Sequence, residues 1–149
     1  MYEIQARILS ILIKDIFNEN FKRKEILNKF KSTILNENKM RFINSNRTDD
    51  VCHLAVLKFE NERLRNMFRF SAKQSLIETT IHYPYLDYNQ SGLSLDCEPF
   101  ACKFAEDALT KICTIPLYPE LTSSEIDRLL DLLRSFQRSI VDARRGDLN

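Results

Sequence analysis

The sequence predicts an α+β fold: a small mixed or antiparallel sheet covered by helices. Two observations carry that reading. Apolar residues recur at helical spacing at both ends of the chain, and short β-branched apolar runs lie between them.

The first helix is read from Met1 to about Ile34, bent near Phe17–Asn20. Ile4, Ile8, Leu9, Ile11, Leu12 and Ile16 recur at helical spacing, which predicts a buried face. Its second half carries Phe17, Phe21, Ile26, Leu27 and Phe30, with a basic outer face. No Ser, Thr, Asp or Asn precedes the apolar run, so nothing in the sequence starts this helix. "NENKMRFINSNRTDD" is turn-like, with room for a short strand at "MRFI". "VCHLAVLKF" suits a central strand. "NERLRNMFRFSAKQS" is a helix with Leu64, Met67, Phe68 and Ala72 on one stripe. "LIETTIHY" alternates Ile77, Thr79 and Ile81, which predicts a strand. "PYLDYNQSGLSLDCEP" is a long loop. "FACKFAEDALTKI" is a helix beginning near Pro99.

The last helix is the best-marked element. Thr122 is its N-cap, and Glu125 three residues on makes a capping box. Leu121 and Ile126 stand at the two staple positions. Ile126, Leu129, Leu130, Leu133 and Phe136 form one apolar stripe. The sequence thus divides into one domain over 1–141 and a polar tail over 142–149 that is expected to fray.

Composition narrows the function classes. The chain has 149 residues, 44% of them hydrophobic and 29% charged, the mix of an ordinary globular domain. Two glycines and four prolines argue against a glycine-rich nucleotide loop and against long linkers. No secretory leader and no bilayer-length apolar run is read, so the expected setting is cytoplasmic, with no membrane partner. The formal net charge is +1. Lys14–Arg47 holds nine Lys/Arg against four Asp/Glu, and Glu78–Asp107 holds six Asp/Glu against Lys103 alone. Acids and core-spaced apolar residues interrupt the basic stretch, so complementary solvated faces are favoured over a nucleic-acid stripe.

Cys52, Cys97, Cys102 and Cys113 form no C-x-x-C pair and no metal spacing with His53 or His82. Reduced thiols are expected. Zinc held by Cys97, Cys102, Cys113 and His82 is the weaker reading. His53 falls inside an apolar strand, where a structural role is expected. His82 stands where a strand gives way to a loop, close to Tyr83, Tyr85, Tyr88 and Gln90. Such a group can stack on a ring and hydrogen-bond to hydroxyls or phosphate. A tyrosine-rich loop packed on the domain is the plainer alternative. No G-x-S-x-G elbow occurs, and no lysine has an obviously apolar setting. The residues alone give no complete active site.

Four stretches, in order, resemble the pyridoxal-phosphate sugar-nucleotide aminotransferases of the DegT/DnrJ/StrS type. "MYEIQARILSILIKDIFNENFKRKEILNKF" is similar to the helix that follows the family's cofactor domain, with its Met-x-Glu-Leu-Gln-Ala-Ala motif. "VCHLAVLKF" resembles a His-Leu-containing strand. "IETTIHYP" resembles an Ile-x-Thr-x-Val-His-Tyr-Pro strand and turn. "ICTIPLYPELTSSEIDRLLDLLRSF" resembles the Leu-Pro-Leu-x-Pro-x-Leu-Thr closing segment. Together they cover the chain from Met1 to about Phe136.

The resemblance implies the C-terminal small domain of a fold-type I aminotransferase. The Schiff-base lysine and most pyridoxal-phosphate contacts would then belong to an N-terminal cofactor domain not present here. The first helix would lack a start because its start lies upstream. No catalytic residue and no cofactor-binding residue is expected in this chain, which would be inactive alone. Its expected partners are the cofactor domain or a second copy, with a nucleotide sugar as substrate. Whether the chain is itself an enzyme stays open. By the resemblance His82 and Tyr83 match a His-Tyr-Pro turn near the sugar. Tyr88 stands where the family often has a second His, and Gln90 matches a frequent Gln. Leu76 stands where the family tends to have Gly, at a position suited to a left-handed helix cap. The alternative is a freestanding, non-catalytic binding or dimerisation module.

Overall fold

The computed structural model describes residues 2–35, 38–44, 50–86 and 102–146. Helix α1 (Glu3–Leu12) passes through a 3-10 turn (Ile13–Asp15) into α2 (Ile16–Ser32). Strands β1 (Met40–Phe42) and β2 (Ala55–Phe59) follow, then α3 (Glu62–Gln74). Helix α4 (Lys103–Lys111) runs directly into β3 (Ile112–Ile115), and α5 (Ser123–Gly146) closes the chain. The fold is α+β, as the sequence predicts. The sheet has three strands in the order β1-β2-β3, and both pairings are antiparallel.

Strand β2 is central, and its alternation explains why. Ala55, Leu57 and Phe59 are buried, while Val56 and Lys58 between them are partly exposed. Helix α3 packs on β2 and β3, α4 on α3 and β2, and α5 on α2 and α3. The core gathers Phe30 from α2, Phe59 from β2, Phe68 from α3 and Leu133 and Phe136 from α5. Gln137 of α5 is also buried. Its amide accepts from the Leu35 N–H at 2.6 Å and donates to the Thr33 carbonyl at 2.8 Å. It therefore satisfies backbone groups left over at the end of α2.

Helix α5 begins as read. The Thr122 N–H donates to Glu125 Oε2 at 2.8 Å, and the Glu125 N–H donates to Thr122 Oγ1 at 3.3 Å. The Thr122 N–H first, and then the Thr122 hydroxyl donating to the same Oε2 at 2.8 Å, hold the Glu125 carboxyl below its usual range. Leu121 is buried and Ile126 packs against the core. The helix continues to Gly146, beyond the point where fraying is expected.

Several elements differ from the sequence reading. The face of α1 predicted to be buried is exposed: no α1 residue is buried. The break between the two N-terminal helices falls at Ile13–Asp15, ahead of Phe17–Asn20. Phe17 and Phe21 are exposed, whereas Ile26, Leu27 and Phe30 are buried. At the start of α1 the Tyr2 N–H donates to Gln5 Oε1 at 3.4 Å and the Ala6 N–H to the Tyr2 carbonyl at 3.1 Å. His53 precedes β2 in an exposed bend, because the strand starts only at Ala55. On α3 the buried positions are Arg65, Phe68 and Ala72, and Met67 is exposed. Arg65 takes a core-facing position by laying its stem inward, with a guanidinium nitrogen 3.0 Å from Glu62. The segment read as a strand at "LIETTIHY" forms only an isolated bridge, Thr80 to Thr114. The third strand is instead Ile112–Ile115, of which only Ile112 was assigned from the sequence, as the end of a helix. Helix α4 begins at Lys103; Pro99 lies outside the described residues.

The end of α3 answers the question raised by Leu76. The Ile77 N–H donates to the Ala72 carbonyl at 2.9 Å and the Leu76 N–H to the Lys73 carbonyl at 3.0 Å. This is a Schellman cap, with Ala72 and Ile77 both in the core. It needs a left-handed residue, and Leu76 supplies it at φ 55°. A leucine there crowds its Cβ against the backbone at about 1–2 kcal/mol. Its side chain is exposed and returns little packing. Leu76→Gly is therefore expected to stabilise the fold by about 0.5–1 kcal/mol, after glycine's larger chain entropy is subtracted. The check is the denaturant midpoint, which should rise with the slope unchanged. A lower midpoint would mean that the leucine side chain is stabilising in place.

Candidate functional site

The cap aims the chain at the candidate site. Ile77 anchors in the core, and residues 78–81 run extended past β3. Thr80 and Thr114 exchange both backbone hydrogen bonds: Thr114 N–H to Thr80 O at 2.8 Å, and Thr80 N–H to Thr114 O at 3.2 Å. Arg69 of α3 donates through Nε to Thr79 Oγ1 at 3.3 Å. His82 thus leaves the bridge at a position fixed from two sides.

His82 is partly buried, and its Nδ1 lies 3.0 Å from Thr114 Oγ1. The Thr114 hydroxyl also donates to the Thr80 carbonyl at 3.0 Å. Tyr83 follows at φ 61°, a left-handed conformation uncommon for a bulky residue. The strain, about 1–3 kcal/mol, is the kind that accumulates at binding turns. It projects the Tyr83 ring outward, 78% exposed. The His82 and Tyr83 rings stand edge to face with centroids 6.5 Å apart. Tyr85 is exposed two residues on. Tyr88 and Gln90 lie outside the described residues.

The turn therefore offers an imidazole, two phenols and flat aromatic faces. These can stack on a ring and hydrogen-bond to hydroxyls. Among the described residues, hollows of about 660, 210 and 130 Å³ lie away from the turn, beside Met67 and Phe70, beside Leu35 and Ile140, and beside Leu76 and Arg128. No group of acidic, Cys and His side chains able to hold a metal occurs among the described residues. Cys52, Cys102 and Cys113 are free thiols. Burial pushes the Cys113 thiol up to about 12, which keeps it protonated and unreactive at neutral pH. No helix among the described residues is long and apolar enough to cross a membrane.

Thr114 is the site residue that sequence reading missed. The signal was present in "ICTI", an apolar and β-branched run of strand length. It was masked because the helical pattern of "FACKFAEDALTKI" runs straight into it.

Comparison with known proteins agrees with this architecture. Over 135 residues the chain is 26% identical to a dTDP-3-amino-3,6-dideoxy-alpha-D-galactopyranose transaminase of Aneurinibacillus thermoaerophilus, covering 90% of this chain and 36% of that relative. The fold superposes on DesV of S. venezuelae, solved in complex with a ketimine intermediate, with a TM-score of 0.78. That match has 23% identity and covers 90% of this chain and 36% of DesV. It also superposes on the sugar aminotransferase Spr1654 of Streptococcus pneumoniae in its PLP form. There the TM-score is 0.72 at 16% identity, covering 94% of this chain and 36% of that one. The chain thus spans about a third of the length of the relatives it matches. The family model for the DegT/DnrJ/EryC1/StrS aminotransferases matches residues 1–134. With nearly all of its length matched, the chain belongs to the DegT/DnrJ/EryC1/StrS aminotransferase family.

Proposed function

We propose that this chain is the C-terminal small-domain portion of a pyridoxal-phosphate-dependent sugar-nucleotide aminotransferase, serving amino-sugar or cell-surface polysaccharide synthesis in the cytoplasm. It works only together with a lysine-bearing cofactor domain and does not transaminate alone. The observation that carries this reading is the bare apolar face of α1. Ile4, Ile8 and Ile11 share one side of a helix whose main contacts are with its own continuation. A face of that kind is built to be covered.

The lysines support the same division of labour. Schiff-base chemistry needs a lysine whose charge is suppressed by burial or by a neighbouring cation. Every lysine of the chain lies among the described residues, and none is buried. The described residues do not fit pyridoxal phosphate, so the group's chemistry is assigned to the cofactor domain. His82, Tyr83 and Tyr88 are assigned to the sugar. The cofactor domain completes the pocket around this turn.

The test mixes the purified chain with pyridoxal phosphate and then dialyses it. The expected result is no retained cofactor absorbance and no turnover of an amino donor. Co-expressed with the N-terminal domain of a full-length relative, the chain is expected to co-purify in a complex that retains the cofactor. Cofactor held by the lone chain would sink the proposal. A folded chain that pairs only with itself would favour the freestanding dimerisation module instead.

A further inference from the structure

We infer that Thr114 is a positioning residue whose hydroxyl fixes His82 as the Nδ1–H tautomer, so that Nε2 accepts a hydrogen bond from a hydroxyl-bearing ligand. The ligand half deepens the sugar-facing role proposed for His82 and rests on it. The tautomer half does not.

The argument is one of counting protons. A backbone carbonyl can only accept, and Thr114 Oγ1 lies 3.0 Å from the Thr80 carbonyl. The single hydroxyl proton is therefore committed there. His82 Nδ1 lies 3.0 Å from the same oxygen. An oxygen with its proton committed can only accept, so Nδ1 must donate. A neutral imidazole has one N–H, and Thr114 uses it. Nε2 is left as a bare lone pair. A sugar hydroxyl has a proton to give it; an ionised carboxylate, sulfate or phosphodiester has none.

The surroundings hold this arrangement still. Thr114 is 5% exposed. Its backbone is paired with Val56 on one side and bridged to Thr80 on the other. The Thr80 carbonyl takes both the Thr114 N–H, at 2.8 Å, and the Thr114 hydroxyl. The hydroxyl therefore has little freedom to turn away. Among the described residues nothing else hydrogen-bonds to the His82 ring.

The experiment is proton–nitrogen NMR on the isotope-labelled chain carrying His53→Gln. His82 is then the sole imidazole, since the sequence has two histidines. Spectra are taken above the measured His82 titration. Expected is a protonated Nδ1 and an unprotonated Nε2. Thr114→Val, close in volume, should shift the ring toward the other tautomer or a mixture, and Thr114→Ser should restore it. A protonated Nε2 in the parent, or an unchanged tautomer in a folded Thr114→Val chain, would overturn the inference on its own terms. Adding dTDP-glucose to the labelled chain in complex with an unlabelled cofactor domain should move the Nε2 signal in the parent and in Thr114→Ser, but not in Thr114→Val. Inorganic sulfate, which carries no proton at this pH, should leave it in place at the same concentration. A correct tautomer with an Nε2 signal that dTDP-glucose never moves would overturn the sugar-facing role of His82, and the ligand half with it.

Discussion

Replacing Phe136 with alanine is expected to cost the domain about 3–5 kcal/mol. Phe136 lies at the junction of the sheet and two helices. Its ring meets Phe68 of α3 at 5.2 Å and 80°, and Phe59 of β2 at 6.2 Å and 85°. Phe59 and Phe68 are themselves 5.2 Å apart. All three rings are buried. Truncation removes two edge-to-face pairs, each about 0.5–1.5 kcal/mol beyond its area, and leaves a cavity that three separate elements would have to collapse into. Total stabilities of such domains are about 5–15 kcal/mol, so the variant loses a large share. The midpoint of thermal unfolding should fall by about 10–20 °C. Phe17→Ala is the control. It removes the same atoms from a ring that is 85% exposed. It should change stability by no more than about 0.5 kcal/mol. Equal losses from the two substitutions would mean that the core is not centred on this cluster.

The contrast between Phe136 and Phe17 shows what was legible in the sequence. Both stand in helices, and both belong to apolar stripes. Periodicity locates a stripe but does not name the surface that covers it. For α5 the covering surface is within the chain, so Leu129, Leu133 and Phe136 are buried as read. For α1 the sequence predicts burial and the structure exposes the whole face. The capping box of α5 was readable because both partners lie within four residues. Thr122 and Glu125 need no knowledge of the rest of the fold.

Contacts distant in sequence were not legible. Gln137 stands between Phe136 and Arg138 in a polar-looking stretch, yet it is buried to serve Thr33 and Leu35, about a hundred residues earlier. Thr114 pairs with Thr80 across 34 residues. The strand predicted at Leu76–Tyr83 had the right alternation, but its neighbour β3 takes its ladder partners from β2. The result is one bridge where a strand was expected. Even so, His82 emerges where that strand would have ended. The alternation of Ile77, Thr79 and Ile81 found the direction of the segment without finding its pairing.

The second large effect is expected on α1. Ile4→Asp, Ile8→Asp and Ile11→Asp together should abolish co-purification with a cofactor domain while leaving the fold intact. The three side chains are 74%, 52% and 66% exposed. They follow at i, i+4 and i+7, so they form one line on the helix. Fully burying an aliphatic side chain is worth about 1.5–3 kcal/mol. Covering what is still exposed of these three would supply roughly 3–5 kcal/mol, or about two to three and a half decades in affinity. Their replacement by charge adds the cost of desolvating carboxylates in an apolar contact. The lone variant should unfold at nearly the parent midpoint, because none of the three sits in the core and exposed substitutions shift stability by about 0.5 kcal/mol or less. Any self-association of the parent through this face should be lost in the variant. The measurements are co-purification yield, sedimentation velocity and the thermal midpoint. Retained binding to the cofactor domain would place the docking surface elsewhere. A collapsed midpoint would mean that α1 supports the fold from outside its core. Loss of binding with an unmoved midpoint is the outcome that a covered apolar face requires, because only a contact made outside this chain can be removed without cost to the chain itself.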